Sequence, residues 1–431
     1  MDGGKPRTEA ALPTGDQSPH PSRRSQRGLD WFVFFLADVQ TGFGPFVAVY
    51  LTAEKWTQVD IGLVLTISGL VALAGQMPGG ALVDAARSER FVAAIAVAAI
   101  SMSAMALALW PIFFIVLAAQ VLHALASCVL GPAIAAISLG LVGHAAVGER
   151  LGRNARYASI GAGLAAAGMG AVGYFLSNRA VFFVTVLLCI PTLVALTCIR
   201  AGEIDPERAH GGRPVPHPGH PTATLRELAG NRPLVIFAGC AILFHLANAA
   251  MLPQVASTVT MRTGEWATVL VGACIVIPQV VVALLSPWVG RQAQAWGRRP
   301  LILLGFAMLP IRGVLFAFTT DPYLLAAVQV LDGISAAVLG VLVPLVIADA
   351  TRGSGHFNLA QGVVGSGVGI GASLSLTLAG YTSDKFGGST TFLMLAGLAT
   401  VGLALVYLLM PETRPDSSHS PRTSECSGPK R

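Results

Sequence analysis

Long apolar runs alternate with short polar segments along most of the chain. An α-helix needs about 20 apolar residues to cross the roughly 30 Å hydrocarbon core of a bilayer, and these runs have that length. The pattern therefore predicts an all-α integral membrane protein with twelve transmembrane helices. The spans are expected at residues 29–51, 59–83, 91–110, 112–142, 157–177, 180–199, 234–257, 266–289, 300–319, 322–348, 358–381 and 390–410.

Polar segments divide the chain into regions. Residues 1–28 and 411–431 are rich in polar residues and are expected to be disordered cytoplasmic tails. The polar, proline-rich segment 200–232 is predicted to be a cytoplasmic linker between two six-helix bundles, residues 29–199 and 233–410. Its histidines are irregularly spaced among prolines, so the sequence predicts a solvated linker there and no metal site.

The two predicted bundles repeat each other in sequence. The stretch QVLHALASCVLG at 120–131 aligns with QVLDGISAAVLG at 329–340, at an offset of 209 residues. The alignment places His123 of span 4 where span 10 has Asp332. Because two parallel repeats of six helices around a midplane site are a known plan of secondary transporters, the bundles are expected to be pseudo-symmetric.

Composition and charge agree with a membrane location. Of the 431 residues, 54% are hydrophobic and 12% charged, with a mean hydropathy of +0.67. With the N-terminus inside, the outer loops hold only Lys55, Arg179, Arg262 and Lys385 of the 28 basic residues. The positive-inside rule then places both termini in the cytoplasm, in a multi-pass protein of the cell membrane. The net charge of +6 follows from the inner loops and needs no nucleic acid partner.

Four ionisable side chains lie inside predicted spans: Asp38 in span 1, His123 in span 4, His245 in span 7 and Asp332 in span 10. Burying charge in hydrocarbon is costly, and such residues usually face a watery cavity that handles solute or protons. Helical spacing extends them into polar stripes, which we interpret as a substrate and proton cavity. The stripes add Gln40, Thr41, Gln120, Ser127, Asn248 and Gln329.

Each of these residues also has a structural interpretation. A buried acid such as Asp38 or Asp332 can be satisfied by a hydroxyl or a backbone group as a plain hydrogen-bonding residue. A neutral imidazole such as that of His123 or His245 can be buried with one hydrogen bond at modest cost. The sequence leaves both interpretations open.

The loops after spans 2 and 8 carry related motifs, at an offset of 210 residues. They resemble the G-x-x-x-D-[RK]-x-G-x-[RK]-[RK] loop of the major facilitator superfamily, and with the twelve spans and central linker the resemblance covers residues 29–410. Ala85, Arg87 and Glu89 depart from the pattern, and Gln294 stands in place of the second acid. The matching residues are Gly80, Asp84 and Arg90 after span 2, and Gly290, Gly297, Arg298 and Arg299 after span 8.

The resemblance implies that spans 1, 4, 7 and 10 line the central cavity, and each of these spans holds one of the four ionisable residues. It also implies that Asp84 pairs with a basic residue and a helix end to hold the two halves closed, with Arg87 or Arg90 as anchors. The alternative is that Asp84 caps a helix end in solvent. Span 9 lies outside the cavity in the family, so Arg312 is interpreted as a structural charge.

Together these observations indicate a secondary active transporter that moves a small organic solute by alternating access. Proton-coupled efflux of an amphipathic or drug-like compound is the first hypothesis, with Asp38 or Asp332 carrying the coupling proton and the histidines as relays. Span 5 has Gly168-Met-Gly170-Ala-Val-Gly173 in place of the Gly-Pro-x-x-Gly-Gly signature of the family's drug exporters, which weakens the export assignment. The alternatives are proton-coupled uptake of a small organic metabolite and, more remotely, a receptor or assembly factor without transport.

Other classes find no support in the sequence. There is no G-x-x-x-x-G-K-[ST] nucleotide-binding loop and no motif of an intramembrane hydrolase, so neither ATP-driven transport nor an enzyme is expected. The cysteines show no disulfide or metal-ligand spacing, and no cofactor or metal is expected. The expected partners are the small-molecule substrate, protons and the lipid bilayer, and the protein is expected to be a monomer.

Overall fold

The computed structural model describes residues 21–41, 43, 45–212, 221–263 and 267–414, and this part of the chain contains helices and no strand. Most predicted spans correspond to one helix each. The helices are Arg23–Thr41 and Pro45–Ala53 for span 1, Gln58–Ala85 for span 2, Glu89–Leu109 for span 3, Phe113–Phe175 for spans 4 and 5, Asn178–Cys198 for span 6, Arg232–Asn248 and Met251–Thr263 for span 7, Ala267–Ala295 for span 8, Arg299–Phe318 for span 9, Pro322–Ala350 for span 10, Phe357–Phe386 for span 11 and Gly388–Leu409 for span 12.

The predicted number of twelve spans is confirmed. Ten helices in the described ranges are long and apolar enough to cross a membrane. One of them, Phe113–Phe175, is 63 residues long and contains a non-helical residue, Gly143, with φ of 68°. Residues that carry a side chain rarely adopt a φ in this range, whereas glycine does so readily. Gly143 therefore permits the turn that separates span 4 from span 5. Span 1 adds the twelfth crossing as two shorter helices.

Spans 1 and 7 are both interrupted near their middle. In span 1 one helix ends at Thr41 and the next begins at Pro45, and in span 7 the corresponding ends are Asn248 and Met251. Proline suits the first turn of a helix because its missing N–H has no partner there. The interruption of span 7 is slight, because Ala249 keeps helical angles, with φ of −62° and ψ of −33°, and its N–H donates to the carbonyl oxygen of His245.

The ends of the first bundle extend beyond the predicted boundaries. The first helix begins at Arg23, so residues 23–28 are helical and not part of a disordered tail. The backbone N–H of Ser22 donates to Oε2 of Glu203 at 2.9 Å, and that of Arg200 donates to Oγ of Ser25 at 3.0 Å. The apolar run did not reveal this polar first turn, because hydrogen bonds to the linker hold it.

The linker is also partly structured. It contains a 3-10 helix, Ala201–Glu203, and the helices Pro206–Ala209 and Pro221–Gly230. Ile204 and Ala209 are buried among the side chains of the first bundle. The predicted solvated linker therefore packs in part against the helices that it connects; residues 213–220 lie outside the described ranges.

Buried side chains form two clusters, as two bundles require. One cluster runs from Leu29 to Ala209 and belongs to the first half of the chain. The other belongs to the second half and also takes in four residues at the ends of spans 4 and 5. The predicted pair of six-helix bundles is confirmed, and their contact lies partly on spans 4 and 5.

Spans 2 and 11 cross where the two bundles meet. A Cβ atom on Gly80 would collide with the carbonyl oxygen of Asn358, and one on Gly362 would collide with that of Gln76. Glycine is required here because the two helices touch backbone to backbone. The crossing lies at the end of the bundles where span 1 begins and span 12 ends.

Spans 5 and 8 cross in the same way. A Cβ atom on Gly290 would collide with the carbonyl oxygen of Gly148, and one on Gly152 with that of Ser286. Each residue of this crossing lies 210 positions from its counterpart in the crossing of spans 2 and 11. The two bundles are therefore joined by two equivalent contacts, which we call the paired crossings.

Candidate functional site

A cavity of about 470 Å³ lies in the second bundle between spans 7, 10 and 11. Its polar lining consists of His245, Asn248, Asp332, Ser335 and Gln361. The rest of the wall is apolar and includes Phe244, Leu339, Val343, Ile347, Val364 and Val368. The cavity thus offers one polar cluster inside an otherwise apolar wall.

Asp332 is paired with a buried arginine. Nη1 of Arg312 contacts Oδ1 of Asp332 and also donates to Oδ1 of Asn248 at 2.6 Å. The Asp332 side chain is 22% exposed, whereas Arg312 lies behind it and is almost fully buried. The carboxylate that faces the cavity is therefore neutralised from the protein side.

This pairing changes the interpretation of Arg312, which was expected to be a structural charge apart from the site. Span 9 stands behind span 10, and the long arginine side chain reaches forward to the carboxylate. The guanidinium also lies 5.3 Å from the ring centre of Phe316, within the range of a cation–π contact. An arginine inside an apolar run was the sequence signal for a buried ion pair, but the sequence does not reveal which acid forms that pair.

His245 borders the same cavity with a defined hydrogen bond. Its Nδ1 lies 2.9 Å from the carbonyl oxygen of Ala241. Because a carbonyl only accepts, Nδ1 is assigned as the protonated nitrogen, and Nε2 of the neutral ring remains an acceptor. The cavity therefore brings together His245, Asn248 and Asp332, three of the predicted site residues.

Asp38 lies elsewhere, in the contact between spans 1 and 5. It is 5% exposed, and its Oδ1 has no hydrogen-bond partner within the described part of the chain. A Cβ atom on Gly161 of span 5 would lie 2.9 Å from this oxygen. Asp38 is not part of the wall of the cavity in the second bundle, so the expectation of four titratable groups around one cavity is not met.

His123 is covered by an aromatic ring. The ring of Phe43, at the break in span 1, stacks on His123 with a centroid distance of 3.9 Å and an angle of 7°. Nε2 of His123 lies 3.3 Å from Oγ of Ser127, which confirms that these two residues share a helix face. His123 is not among the residues that line the cavity in the second bundle.

The remaining cavity candidates are not brought to the polar cluster. Gln120 and Gln329 are buried at equivalent positions of spans 4 and 10, and Nε2 of Gln120 has no hydrogen-bond partner among the described residues. Gln40 is half-buried near the break in span 1. The side chain of Thr41 lies outside the described part of the structure.

A second cavity, of about 380 Å³, lies on the side of the first bundle. It is bordered by residues of spans 1, 2, 4 and 5, among them Gln76 and Asn154. Gly340, Pro344 and Gln361 border both cavities. The two cavities therefore adjoin at spans 10 and 11, and the second cavity is lined by residues of both bundles.

Asp84 caps the beginning of span 11 in the opposite bundle. Its Oδ1 accepts from the backbone N–H of Asn358 at 3.2 Å and from Nδ2 of Asn358 at 2.8 Å. Its Oδ2 accepts from the backbone N–H of Leu359 at 2.7 Å. A carboxylate at a helix N-terminus satisfies free N–H groups and interacts favourably with the helix dipole. We call this contact, with the paired crossings beside it, the gate.

The basic residues expected beside Asp84 are placed differently. Arg87 is exposed, and Arg90 is half-buried with an Nε atom that has no hydrogen-bond partner in the described part of the chain. Neither is among the hydrogen-bond partners of Asp84. A histidine of the linker, His210, lies nearby instead, with Nε2 3.2 Å from Oε1 of Glu89.

The linker contacts both bundles at the gate. The backbone N–H of Asp205 donates to the carbonyl oxygen of Gly140 in the first bundle at 3.1 Å. In the second bundle, the N–H of Gly353 donates to the carbonyl of Gly211 at 2.5 Å, and the N–H of Phe357 to that of His210 at 3.4 Å. Sequence reasoning missed this contribution, because a polar, proline-rich segment carries no signal for its tertiary contacts.

The second copy of the motif acts largely within its own bundle. Nε of Arg298 donates to Oδ2 of Asp349 at 2.8 Å, and the backbone N–H groups of Arg298 and Arg299 donate to Glu412 at 2.8 and 3.1 Å. Gly297 has φ of 94°, and a Cβ atom there would meet the same Glu412 carboxylate. Gly290 takes part in the contact between bundles, and Nε2 of Gln294 also lies beside Gly148 of span 5. Glu412 ties the start of the predicted C-terminal tail to span 9.

Comparison with known proteins agrees with the geometry. The family model described as Major Facilitator Superfamily matches residues 31–262 and 248–428. An uncharacterised MFS-type transporter, found in two strains of Mycobacterium tuberculosis, is 39% identical over 90% of this chain and 94% of its own length. The class B tetracycline resistance protein of Escherichia coli is 26% identical over 33% of this chain and 35% of its own length.

A solved structure shares the fold. The human organic anion transporter MFSD10 (TETRAN) superposes with a TM-score of 0.66, at 15% identity, over 89% of this chain and 99% of its own. The family match spans most of the sequence, and twelve helices in two bundles with an interfacial cavity are the corresponding architecture. This chain belongs to the major facilitator superfamily.

Proposed function

We propose that the protein exports an amphipathic organic compound by proton antiport. The observation that carries the proposal is the cavity of about 470 Å³, which has one polar cluster in an apolar wall. Sites for small molecules have volumes of about 300–1,000 Å³ and are mostly apolar, with a few fixed polar groups. A compound with an apolar body and a hydrogen-bonding group fits such a wall.

The charges around the cavity restrict the solute further. Arg312 neutralises Asp332, so the polar cluster carries little net charge. A multivalent anion would require uncompensated basic groups, and a multivalent cation would require uncompensated acids. The cluster supports a solute that is neutral or carries a single charge.

The gate supports alternating access. Asp84 and the paired crossings hold the two bundles together at the end where span 1 begins and span 12 ends. If the termini are cytoplasmic, as the positive-inside rule predicts, the structure is closed towards the cytoplasm. Transport then requires the paired crossings to separate while the opposite end of the bundles closes.

Asp38 is the better candidate for the coupling proton. An ionised carboxylate that is buried without a partner is costly, and a bound proton removes that charge. Asp332 is less suited, because a proton on it would leave the buried guanidinium of Arg312 uncompensated. Asp38 also touches span 5 at Gly161, so its charge bears on a contact between two helices that line the interface.

The relatives give limited support for export. The tetracycline resistance protein matches about a third of this chain, and its name describes resistance to a toxic compound. The mycobacterial relatives, which match most of the chain, have no substrate in their names. The proposal of export therefore depends on the character of the cavity and is tested by transport measurements.

The test of coupling is an Asp38→Asn variant reconstituted in liposomes with a pH gradient. A strain from which the gene for this protein has been deleted is first screened against a panel of amphipathic molecules that includes tetracycline. Compounds that this deletion strain no longer tolerates then serve as substrates. We expect the variant to lose gradient-driven transport and to retain exchange of substrate across the membrane. Asp384→Asn, at an exposed acid, is the control. Full gradient-driven transport by Asp38→Asn would reject the coupling role.

The second candidate function is proton-coupled uptake of a small organic acid. The Arg312–Asp332 pair favours it, because an anionic substrate could replace the charge that Asp332 loses when it binds a proton. Proton and anion would then bind together, as symport requires. Failure of the deletion strain to grow on an organic acid as sole carbon source, without increased sensitivity to toxic compounds, would favour uptake over export.

A further inference from the structure

A groove of about 400 Å³ lies on the first bundle, between the beginning of span 1 and the end of span 6. It shares no residue with either of the two cavities described above. Its wall consists of Arg23, Arg24, Arg27, Gly28, Trp31, Ala195 and Cys198. The groove thus combines three arginines with an apolar floor.

The floor is formed by close contact between the two spans. A Cβ atom on Gly28 would lie 3.0 Å from Cβ of Cys198 and 3.1 Å from the carbonyl oxygen of Ala195. The helices leave no room for a side chain between them at this level. A ligand in the groove therefore rests on the seam of spans 1 and 6 and remains outside the bundle.

The three arginines of the groove form no ion pair in the described part of the chain. All three are exposed. The nearby acid Asp30 is bound by Arg150 and Arg153 on the inner side of span 1. The groove therefore presents a concentration of positive charge that is available to a ligand.

An apolar track leads from the arginines towards the middle of the bilayer. Trp31, one turn beyond Arg27, is 48% exposed, and tryptophan is enriched at membrane–water interfaces. On span 6, Val194, Ile190 and Leu187 are 57%, 58% and 63% exposed, and their spacing places them along one helix face. This face extends about 10 Å from the level of Val194 into the hydrocarbon region.

We propose that this groove binds an anionic phospholipid, with its phosphate on Arg23, Arg24 and Arg27 and an acyl chain along the exposed face of span 6. Guanidinium groups match phosphate oxygens with paired hydrogen bonds. Basic pockets between membrane helices at the cytoplasmic side bind anionic headgroups. The apolar track distinguishes a lipid from a soluble phosphate, which would gain nothing from it.

The test measures lipid binding to the full chain in detergent by native mass spectrometry, with phosphatidylglycerol, cardiolipin and phosphatidylethanolamine. We expect both anionic lipids to bind more tightly than phosphatidylethanolamine. A charged side chain near an anionic headgroup contributes roughly a factor of five, so a triple Arg→Gln variant at positions 23, 24 and 27 should bind roughly 100-fold more weakly. Inorganic phosphate should not compete.

A matched control carries the same loss of charge at exposed arginines away from the groove, Arg226→Gln, Arg291→Gln and Arg352→Gln together. It should bind the anionic lipids as the wild type does. Equal weakening in both triple variants would mean that net charge attracts the lipid without a site, and would reject the groove. Displacement of the lipid by inorganic phosphate would identify a soluble anion as the ligand and would also reject the proposal.

A second measurement does not depend on the folding of the triple variant. Cys198 is half-buried in the groove, whereas Cys128, Cys189, Cys240 and Cys274 are buried. In a Cys426→Ser background, added anionic lipid should slow alkylation of Cys198 by a maleimide, and phosphatidylethanolamine should not. Equal alkylation rates with both lipids would contradict occupancy of the groove.

Discussion

Arg312 and Asp332 form an ion pair inside the second bundle, and each supplies the counter-charge of the other. Arg312 is almost fully buried, with Asn248 as a further acceptor and Phe316 beneath the guanidinium. Removing one member of such a pair leaves a buried charge, whereas removing both leaves a neutral space. The pair therefore fixes both the stability of the second bundle and the charge of its cavity.

Replacing Asp332 with Asn should destabilise the protein by about 3–5 kcal/mol, because the buried Arg312 guanidinium loses its counter-charge. The double variant Arg312→Gln with Asp332→Asn should recover much of that loss. Thermal unfolding in detergent measures both, and Arg226→Gln, at an exposed arginine, should leave the unfolding temperature unchanged. A double variant as unstable as Asp332→Asn alone would show that the charge balance is not what matters.

The linker, spans 2 and 3, and the beginning of span 11 meet at His210. The hydrogen bond with Glu89 raises the pKa of His210. Burial lowers this pKa, and the nearby Asp84 carboxylate raises it further. A protonated His210 thus stabilises the closed gate. This contribution is fully present below the ordinary histidine pKa of about 6.5 and is lost as the pH rises through the raised value.

We therefore expect the gate to open more readily at high pH. A cysteine introduced at Gln361, beside the gate, should be alkylated faster as the pH rises by a reagent added on the side where span 1 begins. The rates are corrected for the pH dependence of alkylation of a free thiol. His210→Gln should react at a rate that depends less on pH, and His220→Gln, elsewhere in the linker, should behave as the wild type. A pH response that survives in His210→Gln would exclude this histidine as its cause.

The sequence predicted the helices well and their tertiary contacts less well. Apolar runs located twelve spans, and Gly-x-Gly-Pro at residues 42–45 was a visible signal for the break in span 1 that the length of the run concealed. The repeat at an offset of 209 aligned His123 with Asp332, and the two residues lie on the fourth and tenth spans. The partner of Asp332 could not be predicted, because the helices that contact span 9 are determined by tertiary packing, which produces no periodic pattern in the sequence.

The same difference explains the outcome at the gate. The motif located Asp84, and the structure places it on the N-terminus of span 11. It did not indicate that Arg87 would be exposed or that a linker histidine would lie nearby. Which helix end a side chain meets depends on the angle between bundles, and a single sequence does not encode that angle in any local pattern.

At the scale of the whole molecule, the paired crossings decide how the bundles can move. Gly80 and Gly362 serve one crossing, and Gly152 and Gly290 serve the other. Their equivalence under the 210-residue repeat suits a rocking motion in which both contacts separate together. Independent bending of single helices would instead release one crossing and retain the other.

Gly80→Ala and Gly290→Ala test these alternatives. Each added methyl group strains a backbone contact, and overpacking costs about 1–3 kcal/mol, so each variant should shift the protein towards the state that is open at the gate. Alkylation of a cysteine at Gln361 measures the shift, and Gly69→Ala, where a Cβ atom meets nothing within 4 Å, is the control on span 2.

The double variant distinguishes the two kinds of motion. If the bundles rock as rigid bodies, both substitutions favour the same open state, and their free-energy shifts should add in the double variant to within about 0.5 kcal/mol. A double variant that opens no further than the stronger single variant would show that one crossing can separate alone, and the rigid-body account would then be wrong.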